Sequence, residues 1–186
     1  MAEAPSDFAS AAAACFDEAV RAGFPAFLTP VADSSPLNAT PYLAHYAEFR
    51  AIARGWSGRG LLLDAMESVR VRSGRHGVAV DAILIGGSFT ERANSAPKDI
   101  DCVMLYRQTR AGRAADAKAL AALRIEAKRR KVDVRFLPLD ADPLALIKSL
   151  CYFTLLFSKD KHAADRTDVR IVRGLLLLDC RRLGDT

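Results

Sequence analysis

Apolar residues first recur at helical spacing. Phe8, Ala12, Cys15, Phe16 and Ala19 form one stripe, and Ser6 can cap a helix running to about Arg21. AGFPAFLTPVADSSPLNATP then breaks the period with four prolines and Ser, Asn and Asp clusters, which predicts an irregular connector. From Pro41, PYLAHYAEFRAIARG reads as a helix with Tyr42, Tyr46, Phe49 and Ile52 on one side. A further helix is expected from about Gly58 to Arg72 through Leu61, Leu62, Ala65, Met66 and Val69. After SGRHG the texture changes. VAVDAILIGG is a β-branched apolar run ending in glycines, a buried strand feeding a tight turn, and DIDCVMLY reads as a second strand. AGRAADAKALAALRIEAKRR is helical, with Ala117, Leu120, Leu123 and Ala127 facing inward. KVDVRFLPL is a third strand ended by Pro138. DPLALIKSLCYFTLLF is a helix with Asp142 as cap and Pro143 in the first position, and its Tyr152, Phe153 and Phe157 are expected in the core. DVRIVRGLLLLDC closes the chain as one strand, or two with a break at Gly174.

Helices first, then strand–turn–strand–helix–strand–helix–strand, predict an α/β (α+β) fold, a sheet with helices packed against it. The expected organisation is one domain over residues 1–186, with an N-terminal helical segment at 1–77 and an α/β core at 78–186. A chain of 186 residues with 51% hydrophobic positions can fill one such core but leaves little room for a second, substrate-recognising domain. Leu175 to Leu178 is far too short to span a bilayer, and the alanine-rich start lacks the basic region of a signal peptide. Cys15, Cys102, Cys151 and Cys180 show no ligand spacing and read as buried thiols of a cytoplasmic protein.

The formal net charge of +5 is unevenly spread. Residues 107–131 hold nine Lys/Arg, among them Arg107, Arg110 and Arg113, against Asp116 and Glu126. That excess is either the solvated face of a helix or a surface attracting phosphate-rich ligands.

The chemistry concentrates in ILIGGSFTERANSAPKDIDCVMLY. Side chains alternate along a strand, so Asp99 and Asp101 share one face while Ile100 and Cys102 point to the core. The same arithmetic places Asp133 and Arg135 together in KVDVRFL, with Val132, Val134 and Phe136 opposite. If the two strands are neighbours, three carboxylates converge, and converging carboxylates must take up protons or bind a cation. Hard divalent ions such as Mg²⁺ take oxygen ligands of this kind and share them with phosphates. Gly86 and Gly87 permit close backbone approach, Ser88 adds a hydroxyl, and a turn opening a short helix cradles anions. Such a site suits a metal–nucleoside triphosphate, although no Walker A loop is present.

Gly87-Ser88, ten intervening residues and Asp99-Ile100-Asp101 resemble the signature of the polymerase β-like nucleotidyltransferases. The resemblance implies a mixed-sheet nucleotidyltransferase core in which the turn holds phosphates and Asp99, Asp101 and Asp133 hold two Mg²⁺, with Mn²⁺ able to substitute. The implied reaction moves a nucleoside monophosphate, AMP from ATP being favoured, onto a hydroxyl acceptor on a protein or RNA. PYLAHYAEFRAIARGWSGRGLLLDAMESVRV, the GSF…PKDID core, VDVRFLPLD and YFTLLFSKDK are together similar to a bacterial family of small nucleotidyltransferase-like proteins of unassigned function. Where that family tends to carry Arg-Asp-Gly…Lys-Gly, this chain has HAADRTDVRIVRG, leaving Arg166 or Arg173 as substitutes for its late basic groups. A more distant similarity is to minimal nucleotidyltransferases of toxin–antitoxin pairs, some of which transfer AMP onto a partner toxin.

Lys98 and Arg135 are further phosphate-binding candidates. Lys98 points away from Asp99 along the strand, and Arg135 is equally readable as a partner of Asp133. His45, His76 and His162 show no metal spacing and read as structural or solvated. Cys102 reads as packing, and Trp56 as a lid over the helical pair. Alternatives to an enzyme are an antitoxin-like or regulatory partner-binding module with weak or retired catalysis, and a non-catalytic nucleic-acid binder using the basic stretch. A homodimer is compatible with so small a domain.

Overall fold

The computed structural model describes residues 5–28, 35–91, 94–109, 116–159 and 173–181. Helix α1 (Pro5–Ala22) leads through an irregular connector to β1 (Tyr42–His45), followed by α2 (Tyr46–Arg54) and α3 (Gly60–Gly74). Strand β2 (Val78–Gly86) turns through a single 3₁₀ turn at Gly87–Phe89, and β3 (Ile100–Gln108) returns. Then come α4 (Ala117–Arg129), β4 (Val132–Pro138), α5 (Pro143–Ser158) and β5 (Leu176–Asp179). The strands form one mixed sheet in the order β1-β5-β2-β3-β4, parallel at β1/β5 and β3/β4 and antiparallel elsewhere. The fold is α/β, as the element order predicts.

Helices α1 to α4 share one face of the sheet. Their buried side chains, Phe16, Phe49, Leu63, Met66 and Leu123 among them, join Ile83, Ile85, Ile100, Cys102, Met104 and Val134 in one cluster. That cluster runs from Phe16 to Cys180, so residues before 77 and after 78 fill the same core. The opposite face is thinner. There α5 sets Phe157 against Leu84, Val103 and Leu175. No helix among the described residues is long and apolar enough to cross a membrane.

Several expectations need correction. Tyr42–His45 is a strand rather than the first turn of a helix, because it pairs in parallel with Leu176–Asp179. Tyr42 and Ala44 are buried by the period-two rule, yet Tyr42 also fits the helical stripe, so the pattern alone is ambiguous. Ser6 lies inside α1 rather than capping it, and His45 ends a strand. Asp99 precedes β3 instead of lying on it. Ala117 and Tyr152 are exposed rather than in the core. Of the cysteines, Cys102 and Cys180 are buried, Cys15 is half-buried and Cys151 is exposed. The cap of α5 follows the sequence: the Asp142 carboxylate accepts a hydrogen bond from the Ala145 amide at 3.0 Å, with Pro143 in the first turn. Trp56 stands between α2 and α3 and packs on Phe24 and Phe49, with ring centroids 5.6 and 6.1 Å away. His162, Arg110, Arg113 and Arg166 lie outside the described residues.

Candidate active site

The parallel pairing of β3 with β4 supplies the neighbour relation that the sequence leaves open. Asp101 is in register with Asp133. In-register residues of adjacent strands lie about 4.8 Å apart and point to the same face, so the two carboxylates stand side by side. Both are half-buried, and Ile100, Cys102, Val132 and Val134 between them are fully buried on the other face. This core anchors the strand segment on which the carboxylates sit. Asp99 and Lys98 stand exposed where the chain approaches β3. Burial, and secondarily the charges of Asp101 and Asp133, push the pKa of the Cys102 thiol well up, which keeps it protonated and limits it to packing.

The Gly-Gly turn meets the same carboxylates. Gly87 has φ +71°, the left-handed region, and a Cβ built on it would lie 2.5 Å from Oδ2 of Asp101. The missing side chain is thus the space that Asp101 occupies. Gly86 has another reason to be glycine. Its backbone is extended, and a Cβ there would meet Phe157 at 2.5 Å and also strike Leu175. Gly86 therefore serves close packing under α5, and the anion-facing part of the turn narrows to Gly87 and the half-buried Ser88. The first amides of a 3₁₀ turn have no acceptor within the turn itself.

Gly87→Ala combines a left-handed backbone with a side chain against Asp101. It is expected to cost about 2 kcal/mol and to lower the melting temperature by about 4–8 °C. Calorimetry checks this, and an unchanged melting temperature would show that the turn yields freely.

Basic groups surround the pair. Arg135 Nη1 donates to Oδ1 of Asp133 at 2.6 Å, and Lys128 Nζ approaches Oδ2 at 3.9 Å. Arg135 is thus a carboxylate partner in this structure, the second of its two sequence readings. The donors are all carboxylate oxygens, which suits a hard divalent cation, and the Asp101–Asp133 register fits them to share one. Among the described residues no group of three or more His, Cys, Asp or Glu is gathered into a metal-ligand cluster. Asp99 is the ligand candidate that the backbone leaves outside the pair.

Two buried arginines, whose burial no sequence pattern predicts, hold the turn. Arg59, at the start of α3, is 1% exposed. Its Nε donates to the Phe89 carbonyl at 2.8 Å, Nη2 to that of Glu91 at 2.6 Å and Nη1 to that of Ser57 at 2.9 Å. The guanidinium lies 5.6 Å from the centroids of both Trp56 and Phe89. Arg173, 7% exposed, pairs with the Glu91 carboxylate and donates to the Lys159 carbonyl at 2.6 Å. It is committed to the turn and to the end of α5, which corrects its reading as a late phosphate-binding group. Arginines in basic-rich sequence carry no mark of burial, so only Gly60-Leu61-Leu62-Leu63 beside Arg59 could have drawn attention to it.

Behind the strand starts lies a cleft of about 410 Å³, lined by Leu62, Ala65, Pro97 and the exposed Leu61 and rimmed by Arg129, Arg130 and Lys131. The Ile100 amide donates to the Lys131 carbonyl at 3.0 Å, so this basic rim begins one residue from β4 and two from Asp133.

Fold and site together define an α/β protein with a carboxylate pair on adjacent parallel strands, facing a glycine turn. Residues 29–177 match DUF6932, a family of unknown function, and the chain belongs to that family. The match takes in the turn, all three aspartates and α5. Neither the comparison with curated proteins nor that with solved structures returns a match.

Proposed function

We propose that this chain is a divalent-metal-dependent nucleotidyltransferase that transfers a nucleoside monophosphate, AMP from ATP in the favoured case, to a hydroxyl on a protein or RNA. The observation that carries this reading is the register of Asp101 with Asp133 beside the left-handed Gly87 turn. Asp101 and Asp133 would hold the cation, with Asp99 at the mouth. Bound Mg²⁺, or Mn²⁺ in its place, would neutralise triphosphate charge and favour the ionised acceptor oxygen. The acceptor oxygen forms a bond to the α-phosphorus, the bridging P–O bond breaks, and pyrophosphate leaves. The acceptor proton passes to a facing carboxylate and on to solvent. Ser88 and the turn amides orient phosphate oxygens. Arg135, once exchanged from Asp133, can pair with a phosphate on the same face. The rim of Arg129, Arg130 and Lys131 favours an acceptor that itself carries phosphates.

The test is incubation with each α-labelled nucleoside triphosphate, Mg²⁺ or Mn²⁺, and RNA or lysate acceptors. Label transfer with pyrophosphate release is expected, and it should be lost in Asp99→Ala and Asp133→Ala. Equal labelling by wild type and both variants would remove these residues from the reaction.

A second reading, an antitoxin-like or regulatory partner-binding module with weak or retired catalysis, is favoured by the hold of Arg135 on Asp133. A stoichiometric partner protein that co-purifies equally with wild type and the aspartate variants, without labelling, would select it.

A further inference from the structure

Helix α5 has an outer face unlike any other surface among the described residues. Nine large hydrophobic residues are exposed among the described residues, and five of them, Leu144, Ile147, Tyr152, Leu155 and Leu156, lie on this one helix. A helix facing water normally carries charge on its outer side, yet Lys148 is the only charged residue between Pro143 and Ser158. The inner side anchors the helix through Phe157, with Phe153 partly buried beside it. Leu144, Ile147, Cys151 and Leu155 follow one another at steps of three, four and four, the spacing of a helix-pairing seam. Their exposure cannot be a fraying end, because Asp142 and Pro143 cap the helix.

We propose that this face is the homodimer interface of the protein, an antiparallel pairing of α5 with α5 of a second copy. The spacing is self-complementary about Cys151, which lies near the middle of the helix. A twofold axis there sets Ile147 of each copy against Leu155 of the other and brings the two Cys151 side chains together. An isologous interface requires this self-matching and needs no opposite charges, which α5 does not offer. The exposed parts of the five side chains amount to roughly 500 Å² per copy, at the upper end for a lone monomer patch. Two copies then cover about 1,000 Å² of apolar surface, the threshold of a specific interface before its polar rim is counted. A membrane-surface role would call for several Lys or Arg along the apolar stripe, whereas Lys148 is the one basic residue within the helix and Lys159 follows just past its end. The inference is independent of the catalytic reading.

The test is sedimentation of the full chain, with and without Ile147→Asp and Leu155→Asp. Wild type is expected at twice the 20.2 kDa chain mass. Each substitution occurs twice about the axis and is expected to raise the dimer dissociation constant by about a hundredfold or more. Mild oxidation of the native chain should link two copies through Cys151, and Cys151→Ser should abolish the link without dissociating the dimer. Far-UV circular dichroism should be unchanged in all variants, since these side chains face outward. A monomer at every concentration, including one that instead elutes with a different protein, overturns the proposal. So does a dimer indifferent to both aspartates, or a cross-link through the half-buried Cys15.

Discussion

Asp101→Asn is expected to reduce nucleotidyl transfer at least about a thousandfold, some 4 kcal/mol of transition-state stabilisation, while leaving the fold intact. The amide keeps the shape that fills the space beside Gly87, so the turn should not move. It loses the charge that, with Asp133 in register beside it, would hold a divalent ion. The melting temperature should change less than in Gly87→Ala, because the amide keeps the side-chain volume beside the turn and leaves the backbone of Gly87 as it is. Single-turnover labelling reads the loss, and Mn²⁺ titration reads metal affinity without relying on turnover. A variant that labels and binds Mn²⁺ like wild type would place the chemistry elsewhere.

Arg59→Ala is expected to show the reverse profile, a large loss of stability. The substitution empties a fully buried site and strips partners from the carbonyls of Ser57, Phe89 and Glu91. Removing the hydrogen-bonding partner of buried polar groups costs the whole desolvation of the groups left behind. About 3–5 kcal/mol is the expected cost, against a total stability of about 5–15 kcal/mol for a domain. A fall in melting temperature of about 10 °C follows for a chain of this length. Arg59→Lys should recover only part of it, since an ammonium cannot span three carbonyls that a planar fork reaches together. Thermal denaturation of both variants checks this, and equal melting of wild type and Arg59→Ala would show that the carbonyls find other donors. Hydrogen exchange should locate the weakening at residues 87–91, the segment that Arg59 and Arg173 both hold.

Much of this fold was legible because its elements are long and regular. The apolar run before Gly86-Gly87, the alternation around Asp101 and Asp133, and the Asp-Pro start of α5 each specify local structure through nearby residues. The expectation that Asp101 and Asp133 converge was conditional on strand order, which no local pattern reports. Tyr42–His45 carries a helical period yet is a strand, because its backbone pairs with a strand more than 130 residues away, and such pairing overrides local helical period. Tyr152 differs from its expected place for a related reason: an apolar helix looks internal whether its second face meets the core or meets water.

The residue types able to do chemistry, namely the glycine turn, the spaced aspartates and the arginine two residues beyond Asp133, are written locally in the chain, because alternation and turn geometry act over a few residues. Strand order and helix packing make Asp101 and Asp133 neighbours, set Arg135 on Asp133, and commit Arg59 and Arg173 to the turn. The same packing leaves the outer face of α5 open. These are relations between distant segments, and they arise from how the sheet orders its strands and which helix faces that order leaves to be covered.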